Sequence, residues 1–247
     1  MVELQTRRAS RVSSQLIKSD LIKRGLELAN SVEAEIQRHP NRVSAGSGLV
    51  MPEPVVPQDA SWAHVWVKRG LNKYKRGNYL GAVDNFRLAI DKQATLLDAH
   101  NGLGSALYKL KDYRKAALVY RQALKLSPNN AAISCNLASA LHHLNYLDQA
   151  VQIYEQIIQS SPRFGTAFYG LGVSYSKQGK DEQSYLAFQR AIVLMPDHAA
   201  SYYGLGLVQY RLGSIHEASE AFKEAMLIEP IYMVAYQKLM GAIQLSA

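Results

Sequence analysis

The chain has 247 residues, of which 48% are hydrophobic and 19% are charged, and its formal net charge is +8. That length and apolar fraction suffice for one or two domains with a sizeable core, and they exclude a disordered chain. No apolar run approaches the ~20 residues that a membrane-spanning helix needs. The single cysteine, Cys135, excludes an intramolecular disulfide framework and a structural metal site built from thiolates.

The first sixty residues differ from the rest of the chain. Between residues 13 and 37, apolar side chains recur on one helical stripe, which predicts an amphipathic helix that ends before Pro40. Residues 40–60 are rich in Pro and Gly without periodicity, as is typical of a linker. We therefore expect an N-terminal extension over residues 1–39 and a linker over 40–60. The predicted stripe consists of Leu21, Leu28, Val32 and Ile36.

A unit of 34 residues then recurs five times, in phase and without an insertion, over residues 63–232. Fixed-period self-similarity of this length is the signature of repeat architectures. An aromatic residue recurs in the second half of each unit, and a proline ends four of the five. The aromatic residues are Phe86, Tyr120, Tyr154, Phe188 and Phe222, and the prolines are Pro128, Pro162, Pro196 and Pro230.

The fourth unit shows how each unit predicts two helices. Phe168, Leu171 and Tyr175 fall at i, i+3 and i+7, which is one face of a helix. Gly179 is predicted to end that helix, because glycine readily adopts the left-handed conformation after a helix. A second apolar face follows, and Pro196 lacks the N–H that would continue it. Each unit therefore predicts an amphipathic helix-turn-helix pair that must stack on its neighbours to bury its apolar face.

This pattern resembles the tetratricopeptide repeat (TPR) family over about two-thirds of the chain. The resemblance implies an all-α, right-handed α-solenoid whose concave side is lined by the first helices and binds ligands. Residues 233–245 repeat the first-helix pattern and are predicted to close the array. The expected TPR domain thus covers residues 61–247, with repeats near 63–96, 97–130, 131–164, 165–198 and 199–232.

In TPR proteins, ligands contact the second, fifth, ninth, twelfth and thirteenth residues of each repeat. In this chain the twelfth and thirteenth positions place tyrosines beside cations in most repeats, which suits an extended peptide with acidic groups. Residues 61–125 hold 13 Lys and Arg against 4 Asp and Glu, so the acidic preference is expected near the first two repeats. The same pairs also fit a merely solvated helix surface, and that alternative stays open. The predicted peptide-binding residues are Tyr74, Lys75, Asn101, Tyr108, Lys109, Asn136, His142, Tyr169, Lys177, Tyr203, Tyr210 and Arg211.

Other motifs do not predict catalysis. Three Gly-Leu-Gly segments, at Gly102, Gly170 and Gly204, lack the third glycine and the preceding strand of a dinucleotide site, so they are interpreted as packing positions. Cys135 and His142 are seven residues apart on one predicted helix, roughly 10 Å, which is too far for a nucleophile and its base. The sequence therefore predicts no catalytic site, metal site or cofactor.

The predicted function is a non-enzymatic protein-protein interaction scaffold, adaptor or assembly factor that takes no small-molecule substrate. A regulatory subunit that positions a catalytic partner is an alternative. RNA binding is a minor alternative, because the fourth repeat has Ser176 where base stacking would be needed. A clamp for chaperone C-termini is disfavoured, since its cations are missing. The C-terminal helix could mediate homo-oligomerisation.

The N-terminal segment is the part of the sequence that bears on the cellular compartment of the protein. Its predicted helix mixes acidic and basic residues, which disfavours a membrane-surface role. The chain starts without the apolar core of a secretory signal, so a cytoplasmic location is expected. An organelle stroma or matrix is the alternative, because Arg7, Arg8 and Arg11 lie among serines as in a transit segment.

Overall fold

The structure is a computed structural model, and it describes residues 61–234, 236, 237 and 241. The predicted N-terminal helix, the linker and most of the predicted closing helix lie outside these residues. The described part contains ten α-helices and one 3-10 helix, without a strand, so the predicted all-α fold of sequential helix-turn-helix pairs is confirmed. The helices are α1 (Ser61–Lys75), α2 (Tyr79–Lys92), α3 (Leu97–Lys109), α4 (Tyr113–Leu126), α5 (Ala131–His143), α6 (Leu147–Ser160), α7 (Gly165–Lys177), α8 (Asp181–Leu194), α9 (Ala199–Leu212) and α10 (Ile215–Ile228), and the 3-10 helix covers Pro230–Tyr232.

The helices form two compact units, which divide within α7 between Ser174 and Tyr175. In the first unit, α1 pairs with α2, α3 with α4 and α5 with α6, and α2 and α4 also pack on the first helix of the next repeat. The first helices α1, α3 and α5 lie side by side. We call their shared surface the first-helix wall. In the second unit, α9 packs against α8 and α10, and the 3-10 helix packs against α10.

The turn inside each repeat has the same backbone geometry. Its left-handed residue has a φ between 62° and 86° and recurs at the 34-residue spacing. The next residue donates its N–H back to the helix, as Asp112 does to the carbonyl of Leu107 at 3.0 Å. This is the Schellman ending of a helix, and the predicted role of Gly179 is confirmed. The left-handed residues are Gly77, Lys111, Asn145, Gly179 and Gly213.

Side chains cap two of the five helices that follow these turns. The Asn78 Oδ1 atom accepts a hydrogen bond from the N–H of Gly81 at 2.9 Å, at the start of α2. Asp112 does the same for the N–H of Lys115 at 3.1 Å, at the start of α4. Such caps satisfy backbone donors that have no partner within the helix.

The recurring aromatic residue is the centre of the core in every repeat, because all five rings are at most 2% exposed. Glycines on the first helices make room for them. A Cβ atom added at Gly104 would lie 2.5 Å from Cε1 of Tyr120, and one at Gly204 would lie 2.5 Å from Cζ of Phe188. These contacts support the packing interpretation of the Gly-Leu-Gly segments. Within the described residues, every helix is too short or too polar to cross a membrane.

Candidate functional site

The first-helix wall contains a pocket of about 210 Å³. Four of the predicted peptide-binding residues line it together: Tyr74 at the end of α1, Tyr108 and Lys109 at the end of α3, and Asn136 in the middle of α5. The pocket therefore joins the first helices of three consecutive repeats. Its remaining lining residues are Ser105, Tyr120 and Ser139.

Hydroxyl pairs form the floor of this part of the wall. The Tyr120 hydroxyl donates to the Ser105 Oγ atom at 3.2 Å, and the Ser139 Oγ atom and the Tyr154 hydroxyl are 2.9 Å apart. Both tyrosines are only 2% exposed, so each hydroxyl is buried with a partner, as buried polar groups usually are. Sequence reasoning did not select the two serines, although both occupy the ninth position of their repeats.

Two amide side chains connect neighbouring repeats. The Asn136 Nδ2 atom on α5 donates to the Asn101 Oδ1 atom on α3 at 3.1 Å. Both residues are half-buried on the wall. An asparagine amide offers two donors and one carbonyl acceptor, so this bond leaves hydrogen-bonding capacity on both side chains. The two predicted asparagines are thus brought into contact with each other.

Other aromatic rings contact the two pocket tyrosines, Tyr74 and Tyr108. Tyr74 meets the edge of Tyr79 at 5.3 Å between centroids, and Tyr108 meets Tyr113 in the same way at 5.2 Å. His143 stacks on Tyr113 at 4.4 Å with an interplanar angle of 9°. These contacts fix the orientation of the two pocket tyrosines, because aromatic pairs favour edge-to-face and offset-stacked arrangements.

The wall offers neutral donors and exposed cations. Burial raises the pKa of Tyr74 and of Tyr108 above the ordinary tyrosine value, and it raises the pKa of Tyr120 to about 12, so these phenols stay protonated at neutral pH. Lys75 and Lys109 are exposed, and among the described residues neither has an acidic partner. This electrostatic environment favours a negatively charged ligand.

Two further predicted residues lie near the pocket. The His142 Nδ1 atom is 3.1 Å from the Ser174 Oγ atom, whose hydroxyl donates to the carbonyl of Gly170 at 2.8 Å. That hydrogen is therefore in use, so the imidazole donates from Nδ1 to the serine. Tyr169 on α7 is half-buried, and its phenol adds to the effect of burial in raising the pKa of Tyr108. The hydrogen bond to Ser174 thus fixes the His142 side chain within the protein.

In the second unit, the predicted tyrosines lie in the core. Tyr203 is 8% exposed and Tyr210 is 5% exposed, and both belong to the apolar cluster of α9 and α10. The Tyr203 ring lies 5.5 Å from that of Phe222 and 5.0 Å from that of Tyr232. Their side chains pack within the protein and not on a surface that a ligand could reach.

Arg211 has partners inside the same unit. Its Nε atom donates to both carboxylate oxygens of Asp181, at 3.0 and 3.2 Å, and its Nη2 atom donates to Asp181 and to the Ser176 Oγ atom. The Arg211 side chain is only 12% exposed. Lys177 is exposed at the end of α7. The guanidinium that was predicted to contact a ligand thus forms an ion pair between α9 and the start of α8.

The thiol and imidazole chemistry of the described residues is limited. Burial raises the pKa of the Cys135 thiol to about 12, so it stays protonated and weakly nucleophilic. In the described range, no three His, Cys, Asp or Glu side chains are grouped closely enough to hold a metal ion. The chemistry that the wall offers is hydrogen bonding, aromatic contact and positive charge.

Comparisons with known proteins identify the repeat type. A model described as "TPR repeat" matches residues 104–145 and 175–213, and one described as "Tetratricopeptide repeat" matches residues 131–164 and 199–232. None of the curated proteins compared with the chain matches it.

Solved structures of similar fold cover most of the helical array. MamA from Desulfovibrio magneticus RS-1, from residue 41 to its end, is 24% identical, with 69% of this chain and 97% of that chain covered and a TM-score of 0.60. PilW, a type IV pilus biogenesis factor, is 18% identical, with 74% and 86% covered and a TM-score of 0.66. YrrB, described as a TPR protein with an unusual peptide-binding site, is 18% identical, with 71% and 91% covered and a TM-score of 0.53. At these identities the likeness concerns the fold.

Proposed function

The chain belongs to the tetratricopeptide repeat family, and from that premise we propose that it is a non-enzymatic scaffold or adaptor that binds an extended, acidic segment of a partner protein. The segment lies on the first-helix wall, across the pocket of Tyr74, Tyr108, Lys109 and Asn136. One observation carries the proposal: the lining of this pocket offers hydroxyl, amide and ammonium donors and contains no carboxylate. These donors can hydrogen bond to a carboxylate of the ligand, and the lining contains no negative charge that would repel it.

Each group has a distinct role in this proposal. The Lys109 ammonium neutralises an acidic side chain of the ligand, and Lys75 does so at the end of α1. The protonated Tyr74 and Tyr108 phenols donate to carboxylate or backbone oxygens and pack their rings on the ligand's apolar atoms. Because the fold holds these rings against Tyr79 and Tyr113, little conformational entropy is lost on binding.

The asparagine pair suits the backbone of an extended peptide. With the Asn136 amide donating to Asn101, the Nδ2 of Asn101 and the Oδ1 of Asn136 have no other partner among the described residues. One donor and one acceptor suit the carbonyl and N–H groups of a strand-like ligand. YrrB, whose fold is similar, is described as having a peptide-binding site, and this motivates a peptide as the probe.

The test uses two labelled peptides of the same length, one alternating Glu and Ser and one alternating Gln and Ser, with binding to the full chain followed by fluorescence anisotropy. We expect the wild type to prefer the Glu peptide. The double variant Lys75→Glu and Lys109→Glu should bind that peptide about tenfold more weakly, since each partly exposed ion pair contributes about 0.2–1 kcal/mol and reversal adds repulsion.

The matched control is the double variant Arg87→Glu and Lys92→Glu, which makes the same charge change at exposed positions of α2. It should bind the Glu peptide as the wild type does. Equal binding of the two peptides by the wild type, or an equal loss in both double variants, would contradict the proposed site.

A further inference from the structure

A line of cationic side chains runs along α4, outside the first-helix wall. Arg114, Leu118, Arg121 and Lys125 follow at i, i+4, i+7 and i+11, which places them in one row on the helix. All four are exposed, and Leu118 exposes 54% of its surface. We call this row the α4 stripe.

The cations of the α4 stripe form no ion pair with the residues that the structure describes, although Arg114 adds to the effect of the Lys115 hydrogen bond in lowering the pKa of Asp112. No residue in the described part of the chain forms an ion pair with Arg114, Arg121 or Lys125, and α4 itself contains no acidic residue. The neighbouring Lys115 differs, since its Nζ atom lies 2.8 Å from a carboxylate oxygen of Asp112. Three cations are therefore open to a partner.

The repeat fold does not require this charge. In each of the other four second helices, the equivalent row holds one or two acidic residues and at most one Lys or Arg. The packing of a repeat thus tolerates either sign here, and the three cations need another explanation. The equivalent rows are Leu80, Asp84, Arg87 and Asp91 on α2, Asp148, Gln152, Glu155 and Gln159 on α6, Glu182, Leu186, Gln189 and Val193 on α8, and His216, Glu220, Lys223 and Leu227 on α10.

We propose that the α4 stripe docks an acidic helical segment of a partner protein, whose carboxylates meet Arg114, Arg121 and Lys125 and whose apolar side chain covers Leu118. The row is about 16 Å long, which is three turns of a partner helix. Two of its three cations are arginines, whose planar fork binds a carboxylate with two hydrogen bonds. This surface is separate from the proposed peptide site and does not depend on it.

The neighbouring rows favour a narrow partner over a flat one. The equivalent rows of α2 and α6 carry the exposed carboxylates of Asp84 and Asp91 and of Asp148 and Glu155, which would repel a planar anionic surface, such as a lipid bilayer, that extended over neighbouring repeats. A single helix lies along one row and avoids them. Charge complementarity therefore selects an acidic helix as the occupant.

The test uses the full chain and two labelled, alanine-based helical peptides that differ in one respect. One carries Glu at i, i+7 and i+11 and Leu at i+4, and the other carries Gln in place of each of the three Glu residues. We expect the Glu helix to bind about tenfold more tightly at low salt, with a smaller difference at high salt. The triple variant Arg114→Glu, Arg121→Glu and Lys125→Glu should lose this preference, and the corresponding triple glutamine variant should lose most of it. The glutamine variant decides the outcome if circular dichroism shows that the glutamate variant does not fold.

The control variant Arg87→Glu, Lys92→Glu and Lys223→Glu makes the same net charge change at exposed positions and should keep the preference. An equal affinity of the wild type for the two helices would overturn the proposal, as would an equal loss in the control variant. A loss in the double variant Lys75→Glu and Lys109→Glu would assign the binding to the first-helix wall instead. Tighter, stripe-dependent binding of phosphatidylserine vesicles or oligouridine would replace the proposed partner class.

Discussion

The ion pair between Arg211 and Asp181 decides whether one predicted ligand residue has a structural role. The Arg211 side chain is 12% exposed and that of Asp181 is 19% exposed, and the two share hydrogen bonds from Nε and Nη2. The test substitution is Asp181→Ala. The Arg211 guanidinium then loses its carboxylate partner and keeps the hydrogen bond to the Ser176 hydroxyl. We expect α8 and α9 to lose a stabilising link.

The size of the effect follows from burial. Removing one member of a fully buried pair costs about 3–5 kcal/mol, because the other charge is left without compensation. An exposed pair contributes about 0–1 kcal/mol. Both side chains are mostly but not completely buried, so water can partly solvate the orphaned guanidinium. We therefore expect Asp181→Ala to lower the free energy of unfolding by about 2 kcal/mol.

A double-mutant cycle measures the pair directly. Urea unfolding followed by circular dichroism would compare Asp181→Ala, Arg211→Met and the double variant with the wild type. If the pair is structural, the double variant is less destabilised than the two single changes together, with a coupling energy of at least about 1 kcal/mol. Additive effects, or an Arg211→Met variant as stable as the wild type, would refute the reasoning and return Arg211 to the set of available cations.

Three other predictions concern single positions. Lys111→Gly should raise the free energy of unfolding by about 0.5–1 kcal/mol, because Lys111 has a left-handed φ of 62°, and Asn145→Gly should gain less, since asparagine tolerates this conformation. Gly170→Ala should lower it by about 1–3 kcal/mol in urea unfolding despite the better helix propensity of alanine, because the new Cβ atom would lie 2.3 Å from a buried tyrosine ring. Burial lowers the pKa of His198, so the folded state resists protonating it and loses stability as the pH falls below the ordinary histidine value of about 6.5. Thermal unfolding between pH 7 and 5 should therefore show a smaller loss for His198→Asn than for the wild type, and equal losses would contradict this assignment.

The helix pairs were predictable because their signals repeat. Apolar spacing, the residue at each turn and the small residues beside the aromatic rings recur every 34 residues, so each copy supports the others. The turn at Lys111 was predictable for the same reason, even though a lysine occupies a left-handed position. The left-handed conformation was predicted for Gly179 only, and Lys111 adopts it at the equivalent position of the second repeat.

The accessibility of the wall residues was not predictable from register. Tyr203 occupies the same repeat position as Asn101 and was expected to contact a ligand. Its ring instead packs against Phe222 and Tyr232. Burial depends on the neighbouring elements, which a position within the repeat does not specify.

The hydroxyl pairs show a signal that sequence reasoning could have used. The ninth residue of each repeat and the aromatic residue that follows it by fifteen positions change together. Where the ninth residue is serine, the aromatic is tyrosine, and the two hydrogen bond, as in Ser105 with Tyr120 and Ser139 with Tyr154. Where the ninth residue is apolar, the aromatic is phenylalanine, as in Leu71 with Phe86, Val173 with Phe188 and Leu207 with Phe222. This pairing places the polar floor of the wall in the second and third repeats.

Two of the cations at the thirteenth repeat position, Lys109 and Arg211, differ in the residue that lies thirty positions earlier, in the preceding repeat. In two repeats the thirteenth residue contacts the residue thirty positions earlier, since His143 stacks on Tyr113 and Arg211 pairs with Asp181. The residue thirty positions before Lys109 is Tyr79, which is not a carboxylate. Arg211 is therefore a structural partner of the carboxylate that the preceding repeat supplies, whereas Lys109 has no carboxylate at that position and is exposed. We therefore place the proposed acidic ligand at Lys109 and not at Arg211, because the preceding repeat supplies Tyr79 in the first case and Asp181 in the second.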